Sequence, residues 1–150
     1  MNYNNLPANA FEVSIPSLRE TSFRTQGINI PGFQLEPIVM PYPGAEQSFA
    51  GATYNYEDLT IEFILDEDLK IYDELTTWLN SQQKYEGNIY RDLLVVTLTA
   101  SSIANRVFTF KNAFPFSIGS IQFRTDVGTA ITYLTCTATF KFSEFKLNAK

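Results

Sequence analysis

The residues best able to do chemistry are a group of carboxylates in the middle of the chain: Glu57, Asp58, Glu62, Asp66, Glu67 and Asp68. Paired carboxylates can act as a general acid and base, and clustered ones can bind Ca²⁺ or Mg²⁺. The run from Asp66 to Asp68 lacks the spacing, the glycine and the later glutamate of an EF-hand loop. It stands where a helix is expected to begin, and acidic residues are favoured there. We therefore predict that these carboxylates cap a helix and face solvent, and that they bind no metal.

The rest of the composition excludes most nucleophilic and metal chemistry. The chain has 150 residues, with no histidine and one cysteine, Cys136. Ser/His/Asp and Cys/His catalytic sites, His-rich zinc sites, zinc ribbons and intrachain disulfides are therefore excluded. Neither G-x-x-x-x-G-K nor G-x-G-x-x-G occurs, so nucleotide binding has no motif to support it. We predict no catalytic residue and no cofactor, and we expect that the protein is not an enzyme.

The charge balance argues against a broad face that binds nucleic acid. Eleven basic and sixteen acidic residues give a net charge of −5, whereas such a face must be basic. Residues 1–104 hold five basic and fourteen acidic residues, and residues 105–150 hold six basic and two acidic ones. Parts of unlike charge can pair copies of a chain head to tail. On charge alone, however, scatter over a solvated surface is the favoured interpretation.

Targeting signals are not evident. The amino terminus, MNYNNLPANAF, has neither the basic nor the apolar region of a signal peptide. No stretch approaches the roughly 20 apolar residues of a membrane helix. We expect a soluble protein made in a reducing cytoplasm, with no membrane insertion and with Cys136 as a core residue.

The elements that must position these residues are mostly strands. Hydrophobic residues make up 45% and charged residues 18% of the chain, which predicts one globular domain over residues 1–150. Alternation of period two predicts a long strand with Leu134, Cys136, Ala138, Phe140 and Phe142 on its buried face. Shorter runs with the same period are Phe11-Val13-Ile15, Leu59-Ile61-Phe63-Leu65 and Leu94-Val96-Leu98, with further strand candidates at Arg24–Ile30, Val107–Lys111 and Ile118–Phe123.

One segment has helical spacing instead. Over Asp66–Gln83, the apolar residues Leu69, Tyr72, Leu75 and Leu79 recur at intervals of three and four, with Ile71 and Trp78 flanking them. Asp66 can cap this helix, and Glu67 and Asp68 would lie in its first turn. We predict an amphipathic helix over residues 66–83 that docks onto a sheet through Leu69, Tyr72, Leu75, Trp78 and Leu79.

The segment from Gly32 to Tyr56 is predicted to be a long extended loop. It contains Pro37, Pro41 and Pro43, and it is too long and irregular for a hairpin turn. Its apolar side chains are too many for a solvated linker: Ile38, Val39, Met40, Tyr42, Phe49, Tyr54 and Tyr56. We favour burial of this loop against a partner over packing onto its own domain.

The order and chemistry of several segments resemble those of a known family. FEVSIPS at Phe11–Ser17 and FRTQGINIPGFQL at Phe23–Leu35 look like its opening hairpin. YEDLTIEFILDEDLKIYDELTTWL at Tyr56–Leu79 looks like its strand, acidic junction and helix. FKNAFPFSIGSIQF at Phe110–Phe123 looks like its strand, aromatic-proline corner and short following strand. From Phe11 to Phe145 the chain thus resembles the tail tube proteins of contractile-tailed bacteriophages, including the baseplate tube initiators.

The resemblance implies a fold and a role. The fold would be a mainly antiparallel β-sandwich or barrel with one flanking helix. The chain would be a structural virion protein of the phage tail, whose six-fold rings stack into a channel for DNA ejection. The segment over residues 32–56 would reach neighbouring subunits and the adjacent ring. Sheath and baseplate proteins would be partners, and DNA would pass through the lumen without specific binding.

Other functions are left open by the sequence. A baseplate tube initiator of the same fold is the first alternative to the tube subunit, and the related tubes of injection particles are another setting. A ligand-binding β-sandwich that uses exposed tyrosines such as Tyr42, Tyr54 and Tyr56 is a more remote alternative. Carboxylate spacing alone does not exclude a hydrolase of the glycosidase type.

Overall fold

Eleven β-strands and one α-helix form the regular structure of the computed structural model, which describes residues 4–16, 25–84, 89–99, 101–125, 128 and 132–149. The strands are β1 (Phe11–Ser14), β2 (Thr25–Asn29), β3 (Phe33–Leu35), β4 (Ile38–Tyr42), β5 (Ala45–Phe49), β6 (Tyr54–Tyr56), β7 (Leu59–Ile64), β8 (Arg91–Leu98), β9 (Ala104–Ile118), β10 (Thr135–Lys141) and β11 (Glu144–Ala149). Helix α1 spans Lys70–Lys84. The predicted mainly β fold with one helix is confirmed. Ser17, Phe23 and Arg24, which belong to the predicted opening hairpin, lie outside the described residues.

The main sheet has seven antiparallel strands and bends at β9. Its order is β1-β8-β9-β10-β7-β2, and β11 also pairs with β9. Strands β8 and β11 flank the first part of β9, whereas β10 pairs with its last residues. Asn112 lies between the two parts with a positive φ of 54°, and the pairing of β8 with β9 shifts register nearby. The two parts cover one core as in a sandwich, but the described strands do not close into a barrel.

The core is built from alternate residues of strands in both parts of the sheet, together with one side of α1. In β7, Leu59, Ile61 and Phe63 are fully buried and the residues between them are half-buried. Burial of each such side chain stabilises the fold by roughly 1.5–3 kcal/mol. The other fully buried side chains are Val13, Ile71, Leu75, Trp78, Leu93, Val95, Phe110, Ala113, Cys136, Ala138 and Phe140.

The structure corrects the predicted core face of β8. The run Leu94-Val96-Leu98 was expected to supply the buried face, yet Leu93 and Val95 are the buried residues. Both faces of this strand are apolar, so alternation could not distinguish the core side from the outer side.

The predicted strand at Val107–Lys111 is confirmed but is longer than predicted, whereas the one at Ile118–Phe123 is wrong. The first belongs to the 15-residue strand β9, which continues through Pro115 and ends at Ile118. Residues 119–124 form no strand. Proline is accommodated inside β9 because the register with β10 shifts at Phe140, the partner of Pro115.

Helix α1 begins four residues later than predicted. The amide of Leu69 donates to the carbonyl of Asp66 (3.1 Å), which closes a tight turn over residues 66–69. Leu69 has a positive φ of 52°, so the helix cannot extend back through it. The Asp66 carboxylate accepts a hydrogen bond from the amide of Lys70 at 2.9 Å and so caps the first turn of α1. Glu67 and Asp68 lie in the preceding turn and not in the helix, where they were predicted.

The segment predicted as a long irregular loop is instead a regular β-ribbon, which we call the arm (residues 32–57). Strand β3 pairs with β6, and β4 pairs with β5 across the turn at Pro43-Gly44. Gly44 has a φ of 84°, as the third residue of a type II turn requires. Pro41 fits inside β4 because each strand of a two-stranded ribbon has an edge that needs no partner. The prolines and Gly44 of this segment predicted turns, and the hairpin that they belong to was therefore not predicted.

Candidate functional site

The arm is the most unusual surface of the described chain. At its base, the amide of Glu57 donates to the carbonyl of Gly32 at 2.9 Å. Further out, the amide of Glu36 donates to the carbonyl of Thr53 at 3.0 Å. These bonds continue the ladder of β3 and β6 on either side. The arm is therefore held as a ribbon by its own backbone.

A glycine allows the two sides of the arm to cross closely. A Cβ atom on Gly51 would overlap the carbonyl oxygen of Glu36. Two residues, Glu36 and Pro37, connect β3 to β4, whereas four residues connect β5 to β6. The returning side passes directly against the Glu36 backbone at this crossing, so a residue without a side chain is required there.

The outer part of the arm, which we call the arm tip (Ile38–Phe49), exposes apolar side chains on one face. Residues that pair directly across an antiparallel ladder share a face. Ile38 pairs with Phe49, Met40 with Gln47, and Tyr42 with Ala45. Ile38 is 55%, Met40 49% and Phe49 41% exposed, so this face is apolar yet largely uncovered.

The opposite face of the arm tip is more polar. Val39 pairs with Ser48, and Pro41 pairs with Glu46. Val39 is 51% exposed. Among the seven residues predicted to form a partner-binding loop, four therefore share one face (Ile38, Met40, Tyr42, Phe49), and Val39 lies on the other.

The remaining two predicted residues lie in an aromatic cluster at the base of the arm, which we call the anchor cluster (Phe33, Tyr54, Tyr56, Phe142 and Phe145). Tyr54 stacks on Tyr56 with ring centroids 5.9 Å apart. Tyr56 contacts Phe142 at 5.3 Å, and Phe33 contacts Phe145 at 5.2 Å. Phe142 and Phe145 in turn contact the buried ring of Phe110. Tyr56 thus ties the arm to the core, and Tyr54 is an exposed neighbour of that attachment.

The rest of the anchor cluster was not predicted as part of this surface from the sequence. Phe33 pairs with Tyr56, and Leu35 pairs with Tyr54, so all four lie on one face of the arm base. The alternation of Phe33 with Leu35 and of Tyr54 with Tyr56 was a signal for two short strands. This alternation was too short to identify a strand, because β3 and β6 are each only three residues long.

The residues predicted to dock the helix lie at different depths. Leu75 and Trp78 are buried, whereas Leu69, Tyr72 and Leu79 are half-buried. Ile71, which was expected only to flank this set, is 1% exposed.

Trp78 makes polar as well as apolar contacts between the helix and the rest of the fold. Its indole N–H donates to the carbonyl of Ile89 at 2.7 Å, and the Arg91 guanidinium lies 4.3 Å from the ring centroid. Burial lowers the pKa of Arg91 from its usual value, and the charge of Glu74 partly opposes that shift. Arginine nevertheless stays protonated, so the contact with Trp78 is a cation–π interaction.

The carboxylates identified first do not converge. Asp66 caps α1, and one Glu57 oxygen accepts a hydrogen bond from the amide of Gly32 at 3.2 Å. In the described ranges, no three acidic or cysteine side chains come together as metal ligands would. Burial raises the pKa of the Cys136 thiol.

Within the described part of the chain, no helix is both long enough and apolar enough to cross a bilayer.

Comparisons with known proteins agree with this fold. Residues 6–148 match the family model described as phage tail tube protein. The tail tube protein of Serratia phage KSP90 is 24% identical over 139 residues, which cover 83% of this chain and 78% of that protein. The tail tube terminator protein of Enterobacteria phage T4 is 25% identical over 161 residues, covering 97% of this chain and 90% of that protein.

A solved structure supports the fold independently. In the sheath/tube terminator of an extracellular contractile injection system, PVC, a chain superimposes with a TM-score of 0.77 at 17% identity. The match covers 97% of this chain and 98% of that one. Because the family model matches nearly the whole sequence, the resemblance drawn from the sequence is confirmed. The chain belongs to the phage tail tube protein family, whose members are structural components of the virion tail.

Proposed function

We propose that this chain is a ring-forming subunit of a phage tail tube and that its arm tip binds a neighbouring copy. The observation that carries this function is the apolar face of the arm tip, which is held out on a regular ribbon. Isolated exposed apolar residues are ordinary, but contiguous ones mark sites of protein–protein contact. A tube needs such a contact to repeat from copy to copy.

In the proposed assembly, six-fold rings stack into a channel through which DNA leaves the virion. The net charge of −5 supports this role, because like charges discourage phosphates from binding to the wall. Sheath and baseplate proteins are proposed as further partners. In this role the chain contributes a surface through which copies assemble. The proposed function does not include catalysis.

Replacing Ile38 and Met40 together by serine tests the arm tip. Both side chains lie on its apolar face, and neither belongs to the buried core. The double variant should therefore fold but fail to assemble. Sedimentation velocity should detect large oligomers of the natural chain and only monomers of the variant at the same concentration.

The matched control is Val39→Ser. Val39 lies in the same strand with similar exposure, but on the opposite face. This control should assemble like the natural chain. Unchanged assembly of the Ile38→Ser/Met40→Ser variant would contradict the proposed role of the apolar face.

A second candidate function is that of a tube terminator. The T4 relative named as a terminator aligns with 97% of this chain, and the PVC sheath/tube terminator shares its fold. A tube subunit must bind copies on both sides of a ring, whereas a terminator must leave one side unoccupied. Electron micrographs of the purified chain separate the two: long tubes favour the subunit, and single rings that bind the ends of preformed tubes favour the terminator.

A further inference from the structure

This inference rests on the proposed function. If the arm tip binds a neighbouring copy, that copy must offer a surface complementary to the arm tip on another part of its fold. An apolar groove of about 280 Å³ lies between residues of the two ends of the open sheet, β1 and β2. Its walls include Phe11, Ile28, Ile30, Val95 and Phe108. None of its described lining residues is charged. Pockets for small ligands typically hold roughly 300–1,000 Å³, and this groove lies just below that range. It is therefore large enough for a few apolar side chains of a docked segment.

Three other cavities have charged or amide-bearing residues in their walls. The cavity beside Tyr133 is also largely apolar, but its wall includes Glu67 and Asp66, whose carboxylate caps α1. The cavity at the base of the arm includes Glu57, and a further one is lined by polar residues such as Asn5. Burial of an apolar face there would remove water from carboxylates or amides without giving them new partners, which is costly. The apolar groove avoids this cost.

Exposed apolar residues also follow one another along the chain from the groove to the arm. Ile30, in the wall of the groove, is 39% exposed. Phe33 and Leu35 of β3 come next, with 56% and 38% exposure, and Ile38 begins the arm tip. An arm docked in the groove of the next copy would therefore have further exposed apolar residues nearby in the chain.

We propose that the apolar groove of one copy receives the arm tip of the next. The arm tip is the donor and the groove is the acceptor, so the contact joins two different surfaces. Such a heterologous contact repeats head to tail and generates rings or filaments. The occupant is therefore a second copy of this chain, and the contact is the one that a tube requires.

Cysteine cross-linking between two single variants tests this contact. Gln47→Cys places a thiol on the apolar face of the arm tip, opposite Met40, and Ile30→Cys places one in the groove wall. The natural Cys136 is only 1% exposed and should not react. When the two variants are assembled together and oxidised, disulfide-linked dimers should form. Either variant alone should form few.

The matched control replaces the groove variant by Thr137→Cys. Thr137 is an exposed residue of β10 and lies outside the groove. A mixture of Gln47→Cys with Thr137→Cys should yield no more dimer than Gln47→Cys alone. If Ile30→Cys itself prevents assembly, Ala8→Cys reports the same contact from another wall of the groove.

The outcomes separate this contact from the proposed function. Rings or tubes without cross-links to either groove variant would overturn the groove assignment and leave the tube function standing. Dimers that form from Gln47→Cys alone would mean that arm binds arm, which also overturns it. A natural chain that stays monomeric at every concentration would contradict the proposed function, and the groove contact with it.

Discussion

Trp78 connects three parts of the molecule through one side chain. Its ring contacts Phe140 of β10 at 5.8 Å, its N–H bonds to Ile89, and its face lies beside Arg91 at the start of β8. Arg91 in turn donates to the carbonyl of Pro16 at 3.2 Å. The sequence predicted that Trp78 would dock the helix. It could not predict the carbonyl or the guanidinium, because both lie beyond the end of the helix, where its periodicity no longer specifies which residues meet.

Substitutions at Trp78 should therefore have graded costs. Trp78→Ala should lower the free energy of unfolding by about 3–5 kcal/mol through the cavity it leaves. Trp78→Phe keeps most of the packing but leaves the Ile89 carbonyl without its donor, at a cost of about 1–3 kcal/mol. Urea unfolding measures both, with Phe123→Ala as an exposed control that should change stability by less than about 0.5 kcal/mol. Equal stability of Trp78→Ala and the control would contradict the assignment.

At the scale of elements, the start of α1 depends on a side chain outside the helix. Asp66 was predicted to cap the helix, and its carboxylate does accept a backbone N–H there, although the helix begins only at Lys70. The intervening turn depends on Leu69, whose positive φ has no sequence signal because leucine rarely adopts it.

Loss of this cap should be measurable. Asp66→Ala should lower the free energy of unfolding by about 0.5–2 kcal/mol, as for other N-terminal caps. Asp68→Ala is the matched control, since Asp68 is an exposed carboxylate in the same turn. Chemical denaturation of both variants checks the difference, and a control as destabilised as Asp66→Ala would refute the capping role.

The arm is the element that sequence patterns described least well. Its composition indicated contact with a partner, but three prolines suggested an irregular loop. The ribbon exists because its prolines lie at a turn, at an edge or in a connection, where no ladder bond is lost. The short pair of β3 with β6 is stabilised by the anchor cluster, whose members come from the arm and from residues 142–145 near the carboxyl terminus.

Gly51→Ala should loosen the arm without unfolding the core. The added methyl group would overlap the Glu36 carbonyl, so the crossing must open. The Glu36 amide, which bonds to Thr53, should then exchange its hydrogen at least about tenfold faster, equivalent to about 1.4 kcal/mol. Gly128→Ala is the control because, among the described residues, no atom outside its immediate neighbours lies within 4 Å of an added Cβ there. Unchanged exchange at Glu36 would show that the crossing tolerates a side chain.

At the scale of the whole molecule, the sequence predicted the class of fold better than its curvature. Alternation in β7 and β10 identified the core faces, since one side of each strand is clearly apolar. The bend of β9 near Asn112 and the choice of face in β8 depend on pairing between distant strands. Local patterns carry no information about such pairing, which is why the core face of β8 was predicted wrongly and the bend was not predicted.

The central claim is that this chain assembles with itself through surfaces that its isolated fold leaves exposed. Negative-stain electron microscopy of the purified chain over a range of concentrations tests it most directly. We predict annular particles with a central channel that stack into tubes as the concentration rises, and that disappear in the Ile38→Ser/Met40→Ser variant. Uniform single subunits at all concentrations, or annular particles that persist in that variant, would contradict the account.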